Sequence, residues 1–155
     1  MTALTLARPA DLDRLLAMVL AREAERGAAA DPGALAAGLL PLLEGSPHGA
    51  AYLIGPPRAP IGYVLLSFGW SVAAGGLVGR IEALHVRRAV RGRGIGAEVL
   101  ASLPRALGGA GLGALDVALA RGDARGRALF ERRQFVAREE EVVLRCDLAG
   151  ARRDR

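Results

Sequence analysis

The stretch Leu84-His85-Val86-Arg87-Arg88-Ala89-Val90-Arg91-Gly92-Arg93-Gly94-Ile95-Gly96 reads as the end of a strand, a loop rich in glycine and arginine, and the start of a helix. Downstream, Ile95, Val99, Leu103 and Leu107 recur every four residues, the apolar stripe of a helix. Pro104 should bend that helix, Gly108 to Gly113 should end it, and 114–119 should form a strand. Strand, helix and strand make a crossover unit, whose strands run parallel. Glycines at a strand-to-helix junction let backbone N–H groups approach a phosphate, and the helix dipole favours its charge. The loop is not a Walker loop, because the chain has no lysine, and Val99 stands where a dinucleotide G-x-G-x-x-G would need its third glycine. On the residues alone two readings stay open: a pyrophosphate site, and a tight turn with solvated arginines.

Upstream of this unit, 50–54, 61–71 and 77–86 read as an antiparallel meander, the first two strands joined by the turn Gly55-Pro56-Pro57-Arg58. Leu4-Thr5-Leu6-Ala7 gives a short first strand. Leu12, Leu15, Leu16, Val19 and Leu20 form one helical face beginning near Pro9, and Leu35, Leu39, Leu40, Leu42 and Leu43 suggest a second helix with Pro41 in its last turn. After the crossover unit, a short helix over 123–133 and strands near Phe135 and over 141–146 should complete the domain, with Cys146 buried. The expectation is an α/β (α+β) domain over 1–148, one mixed and mostly antiparallel sheet flanked by helices, followed by a basic tail at 149–155.

Composition bounds what such a domain can be. The chain has 155 residues, 52% of them hydrophobic and 24% charged, enough for one sizeable core and unlike a disordered or collagenous chain. One cysteine and two histidines, His48 and His85, cannot form a disulfide framework or hold a structural zinc, so no metal and a reducing, cytoplasmic setting are expected. No signal peptide is read, since the apolar 15–21 is flanked by Asp11, Asp13, Arg14, Arg22 and Glu23. The uncharged run 59–79 carries Pro60 and the turn Ala73-Ala74-Gly75-Gly76, which suits two strands rather than a membrane span. The formal charge of +5 is a weak clue, because every basic residue is arginine in a chain rich in Ala, Gly and Leu, a coding-level bias. A nucleic-acid binder would want stacking aromatics, and only 4% of residues are aromatic.

The loop and its context resemble the GCN5-related N-acetyltransferase superfamily. In that family a strand ending apolar-x-Val precedes Arg/Gln-x-x-Gly-x-Gly/Ala, as Leu84-His85-Val86 precedes Arg91-Gly92-Arg93-Gly94-Ile95-Gly96. The later family block Asn-x-x-Ala-x-x-Leu-Tyr-x-x-x-Gly-Phe aligns without gaps with 123–135, from Asp123 to Phe135. The resemblance implies an acetyl-CoA-dependent N-acetyltransferase without a metal. Backbone amides of Arg91, Gly92, Arg93, Gly94, Ile95 and Gly96 would hold the pyrophosphate, and the pantetheine arm would run beside Leu84, His85 and Val86. Arg91, Arg93 and Arg88 are candidates for charge-assisted phosphate contacts.

Transfer to an amine needs a base, and Glu82 is the candidate. Strict alternation puts it on the face of Leu84 and Val86, an odd place for a charge unless it borders a polar pocket, and it matches a frequent family carboxylate. The alternative is a carboxylate that pairs with Arg80 or binds a cationic amine. His85 should point to the opposite face and make a poor base. The family's acid, a tyrosine, is Phe130 here, so the thiolate leaves unassisted, another group serves, or activity is low. The family's Asn is Asp123, read as a helix N-cap beside the cofactor. Trp70 and Ser71 could line an acceptor pocket; otherwise Trp70 is half-buried packing. The expected partner is a small-molecule or peptide amine, with neither nucleic acid nor membrane, and relatives that associate suggest a homodimer. The alternative function is a CoA-binding domain with little or no catalysis.

Overall fold

A computed structural model describes residues 2–148. Five strands form one sheet in the order β1-β2-β3-β4-β5: β1 (Leu4–Leu6), β2 (Gly49–Ile54), β3 (Gly62–Ser71), β4 (Gly76–Val86) and β5 (Ala114–Val117). The first four run antiparallel to their neighbours, and β5 runs parallel to β4. Helices cover both faces. On one, α1 (Leu12–Glu25) and α2 (Pro32–Leu43) bring Leu15, Met18, Leu39 and Leu43 onto Leu53, Tyr63 and Ala83. On the other, α3 (Ile95–Gly108) and α4 (Ala124–Glu131) pack Val99, Leu100, Leu103, Leu107 and Phe130 on Ile54, Val64, Leu66 and Ile81.

A side chain caps the start of α2, whereas Asp11 braces the turn just ahead of α1 without bonding the helix's own amides. Asp11 accepts from the Arg8 amide at 2.9 Å and from Arg14 at 2.8 Å at the entry to α1, and Asp31 accepts from the Gly33 amide at 3.3 Å at the start of α2. The stripe Ile95, Val99, Leu103 and Leu107 faces the sheet as its spacing predicts, and Pro104 lies inside α3. Gly62 keeps β3 tight against the end of β4, since a Cβ there would collide with the His85 carbonyl.

Four features differ from expectation. The strand expected over 114–119 ends at Val117, and none forms near Phe135 or over 141–146. Composition like that of Val142-Val143-Leu144 suits a strand, but β propensity depends on the packing a partner strand and a buried face supply. The run pairs with no strand: the ion pairs Arg127 to Glu139 at 3.0 Å and Arg138 to Glu141 at 2.9 Å lie just ahead of it, and its three apolar side chains are exposed. Phe135 packs edge-on against Phe130 without entering the sheet, and Cys146 is exposed rather than buried. The expected basic tail, 149–155, lies outside the described residues. Among the described residues no helix is long and apolar enough to cross a membrane.

Candidate active site

Pairing between β4 and β5 runs from Val78↔Ala114 to Ile81↔Val117 and stops there. Beyond that point β4 continues to Val86, while the segment after β5 leaves through 118–120. A cleft of about 1330 Å³ opens between them, walled by Leu84 and Val86 on one side and Val117 and Leu119 on the other, with Leu129 and Phe130 of α4 beside it. That exceeds the roughly 300–1,000 Å³ of a drug-sized ligand site and suits a long ligand.

Gly92, Gly94, Ile95 and Gly96 line the end of the cleft. Gly94 caps α3 at φ 77° and Gly92 has φ 79°, left-handed conformations that most side chains resist. The first amides of α3, from Ile95 to Ala97, have no acceptor within the helix and border the cleft, where an anion would satisfy them. Gly96 lets α4 approach: a Cβ there would sit 3.2 Å from Leu129 Cδ2. Six arginines line the cleft, Arg22, Arg26, Arg91, Arg125, Arg132 and Arg133, against three acids, Glu25, Glu82 and Asp123. The balance favours a polyanion.

Not every expected arginine is placed for phosphate. Arg91 donates from Nε to the Val86 carbonyl at 2.7 Å and from Nη2 to Glu25 at 2.7 Å. Arg93 and Arg88 are exposed and lie outside the cleft lining. Asp123 is the N-cap of α4, accepting from the Gly126 amide at 2.8 Å, and it also borders the cleft.

Glu82 lines the cleft through a register shift. β3 and β4 slip between Leu65 and Leu66, so Glu82 has no partner on β3 and the two-residue alternation breaks. Glu82 meets Ser67, which lies between Leu66 and Phe68 of the α3-facing cluster and so points the other way, and Glu82 therefore does not share the face of Leu84 as strict alternation implies. Its carboxylate accepts from Ser67 Oγ at 2.7 Å, lies 3.7 Å from Arg80 Nε, and is about half exposed. His85 faces the α1 side, where its ring lies 5.4 Å from that of Tyr63, yet it also borders the cleft. Burial lowers its pKa, so the ring is neutral near pH 7, and burial pushes the Tyr63 hydroxyl up to about 12.

Trp70 and Ser71 lie elsewhere. The antiparallel register pairs them with Leu77 and Gly76 at the start of β4, the end remote from the cleft, and Trp70 is 73% exposed rather than half-buried. Phe130 is buried against the Phe135 ring at 5.1 Å and borders the cleft without a polar atom to offer. Sequence reasoning missed the contribution of the end of α1, where Arg22, Glu25 and the following Arg26 border the cleft, and of Arg132 and Arg133. Polar residues on a helix flank look alike in sequence whether they meet solvent or a site. No group of histidine, cysteine and acidic residues able to hold a metal occurs among the described residues.

Comparison with known proteins bears on the family and the fold. Residues 20–135 match the model of the acetyltransferase (GNAT) family. An integron cassette protein from the mobile metagenome of Cole Harbour Salt Marsh is 26% identical, with a TM-score of 0.81 over 94% of this chain and 90% of that one. A protein from Arthrobacter sp. FB24 assigned as an acetyltransferase is 30% identical over 86% of this chain and 85% of its own, with a TM-score of 0.75. A third, from Clostridium acetobutylicum, assigned as an acetyltransferase and solved with acetyl-CoA, is 15% identical, covering 94% of this chain and 96% of its own with a TM-score of 0.76. No curated protein matches the sequence significantly.

Proposed function

The chain belongs to the acetyltransferase (GNAT) family, its residues 20–135 matching that family's model, and from this premise we propose that it moves an acetyl group from acetyl-CoA directly to a primary amine of a small molecule or peptide. The observation that carries the reading is the parting of β4 from β5 beyond Ile81 and Val117, with the glycine loop and the first amides of α3 at the end of the gap. The amides of 92–97 hold the pyrophosphate, and the β4 backbone from Leu84 to Val86 lies along the pantetheine arm. The neighbour solved with acetyl-CoA supports the same donor.

The thioester supplies an activated acetyl group. Glu82, on the bulge and bordering the cleft, takes the proton of the attacking amine directly or through one water. Ser67 and Arg80 hold the carboxylate in place beside the cleft. As the C–N bond forms, the C–S bond breaks, and water protonates the leaving thiolate, since Phe130 has no proton to give. A thiol pKa near 8.5 makes that departure tolerable.

A panel of amines assayed for thiol release tests the reading. At least one amine should give turnover, and Glu82→Gln should lower kcat by about 10²- to 10⁴-fold with little change in CoA affinity. Equal rates for the variant and the wild type across about pH 6 to 9 would remove Glu82 as base. A CoA-binding domain without turnover is the second reading, and Phe130 favours it; tight CoA binding without thiol release for any amine would select it.

A further inference from the structure

Glu25 is the last residue of α1, and a carboxylate at a helix C-terminus opposes the dipole. A residue placed against its local preference invites a reason beyond the helix. Here that reason is Arg91, 66 positions away, whose guanidinium bonds Glu25 on one side and the Val86 carbonyl on the other, both at 2.7 Å. The loop that follows has little else to fix it. A Cβ at Gly92 or Gly94 would have no atom within 4 Å, and Arg93 is exposed.

We propose that Glu25 is a positioning residue for the pyrophosphate loop, holding Arg91 against the end of β4 so that the amides of 92–97 stay aimed into the cleft. Arg91 is then the loop's anchor rather than a phosphate ligand, and α1 is tied to the cofactor side of the site. The inference rests on the acyl-CoA reading above, and goes beyond it by giving a role to a residue outside the glycine motif.

The sign of one substitution separates this role from a simple field effect. Glu25 borders a cleft meant for a polyanion, so a purely electrostatic role predicts tighter CoA binding when its charge is removed. A positioning role predicts the opposite: Glu25→Gln should weaken CoA binding about 3- to 5-fold. Arg91→Gln should weaken it at least as much, and Glu25→Gln should add nothing in that background. S-acetylpantetheine, which lacks the pyrophosphate, should keep its KM in Glu25→Gln, whereas general damage to the fold would raise it. Unchanged or tighter CoA binding in Glu25→Gln, additive losses in the double variant, or an equal loss for the pantetheine donor would each overturn the proposal. Wild-type titration with CoA comes first: no binding there would sink the acyl-CoA reading and this inference with it, whereas wild-type binding with an indifferent Glu25→Gln would sink this inference alone.

Discussion

Gly94 carries two demands at one position. Its φ of 77° starts α3, and its missing side chain leaves room for a phosphate against the helix amides. Gly94→Asp places a negative charge where the pyrophosphate would lie, and should lower CoA affinity at least about 100-fold. The site has room for the new side chain and Asp tolerates this φ better than most, so the melting temperature should move by only a few degrees. Unchanged affinity in that variant would refute the placement of the pyrophosphate. At this scale the sequence was informative for Gly92 and Gly94, where residue type and spacing state the backbone conformation needed, and for Gly96, where a missing side chain lets α4 approach. It was uninformative for Arg91 and Arg93, since an arginine anchored to a carbonyl and one in solvent read alike. The partner of Arg91 lies on another element, and no local pattern reports it.

Among the elements, α4 shows how a short helix is held. It spans Ala124–Glu131, too short to be stable alone, and relies on the Asp123 cap and on packing against α3 through Leu129 and Phe130. Asp123→Ala should cost about 1 kcal/mol and lower the melting temperature by a few degrees, read by thermal circular dichroism; no change would mean that the cap is dispensable. Helices were the most legible elements, because the i, i+4 stripes of α1 and α3 depend on each helix alone. The meander was legible from its turns. What sequence could not show is pairing. The slip between Leu65 and Leu66, which sets Glu82 at the cleft, comes from how two strands align, and a single strand's alternation predicts the wrong face. The run 141–146 has the composition of a strand, yet strand formation depends on a partner strand and a buried face supplied elsewhere. Trp70 was misplaced for a related reason, since only the register tells which end of β4 it meets.

The whole molecule should lose stability on the acid side in two stages. His85 has its pKa lowered by burial from the usual 6.5. Protons therefore bind the unfolded chain first as pH falls through that value, and stability declines. Glu25 is held below its usual 4.5 by Arg91, and Asp11 below its usual 3.8 by the Arg8 amide and Arg14. Their contributions are complete above those values and are lost as pH falls through the lower, folded ones. The melting temperature should thus fall gently below pH 6.5 and more steeply below pH 4.5, and a flat or rising profile between pH 7 and 4 would contradict these assignments. His85→Gln should remove most of the first stage.

Acetyl transfer by this chain requires the parted strands and the glycine loop to form one site for an acyl-CoA. Calorimetric titration of the wild-type protein with acetyl-CoA, free CoA and ATP in moderate salt tests this most directly. Micromolar binding of both CoA species with little for ATP is the predicted result, since the cleft offers a wall for the pantetheine arm that a nucleotide alone does not use. Absence of CoA binding would leave the loop a turn with solvated arginines and the cleft without its proposed donor.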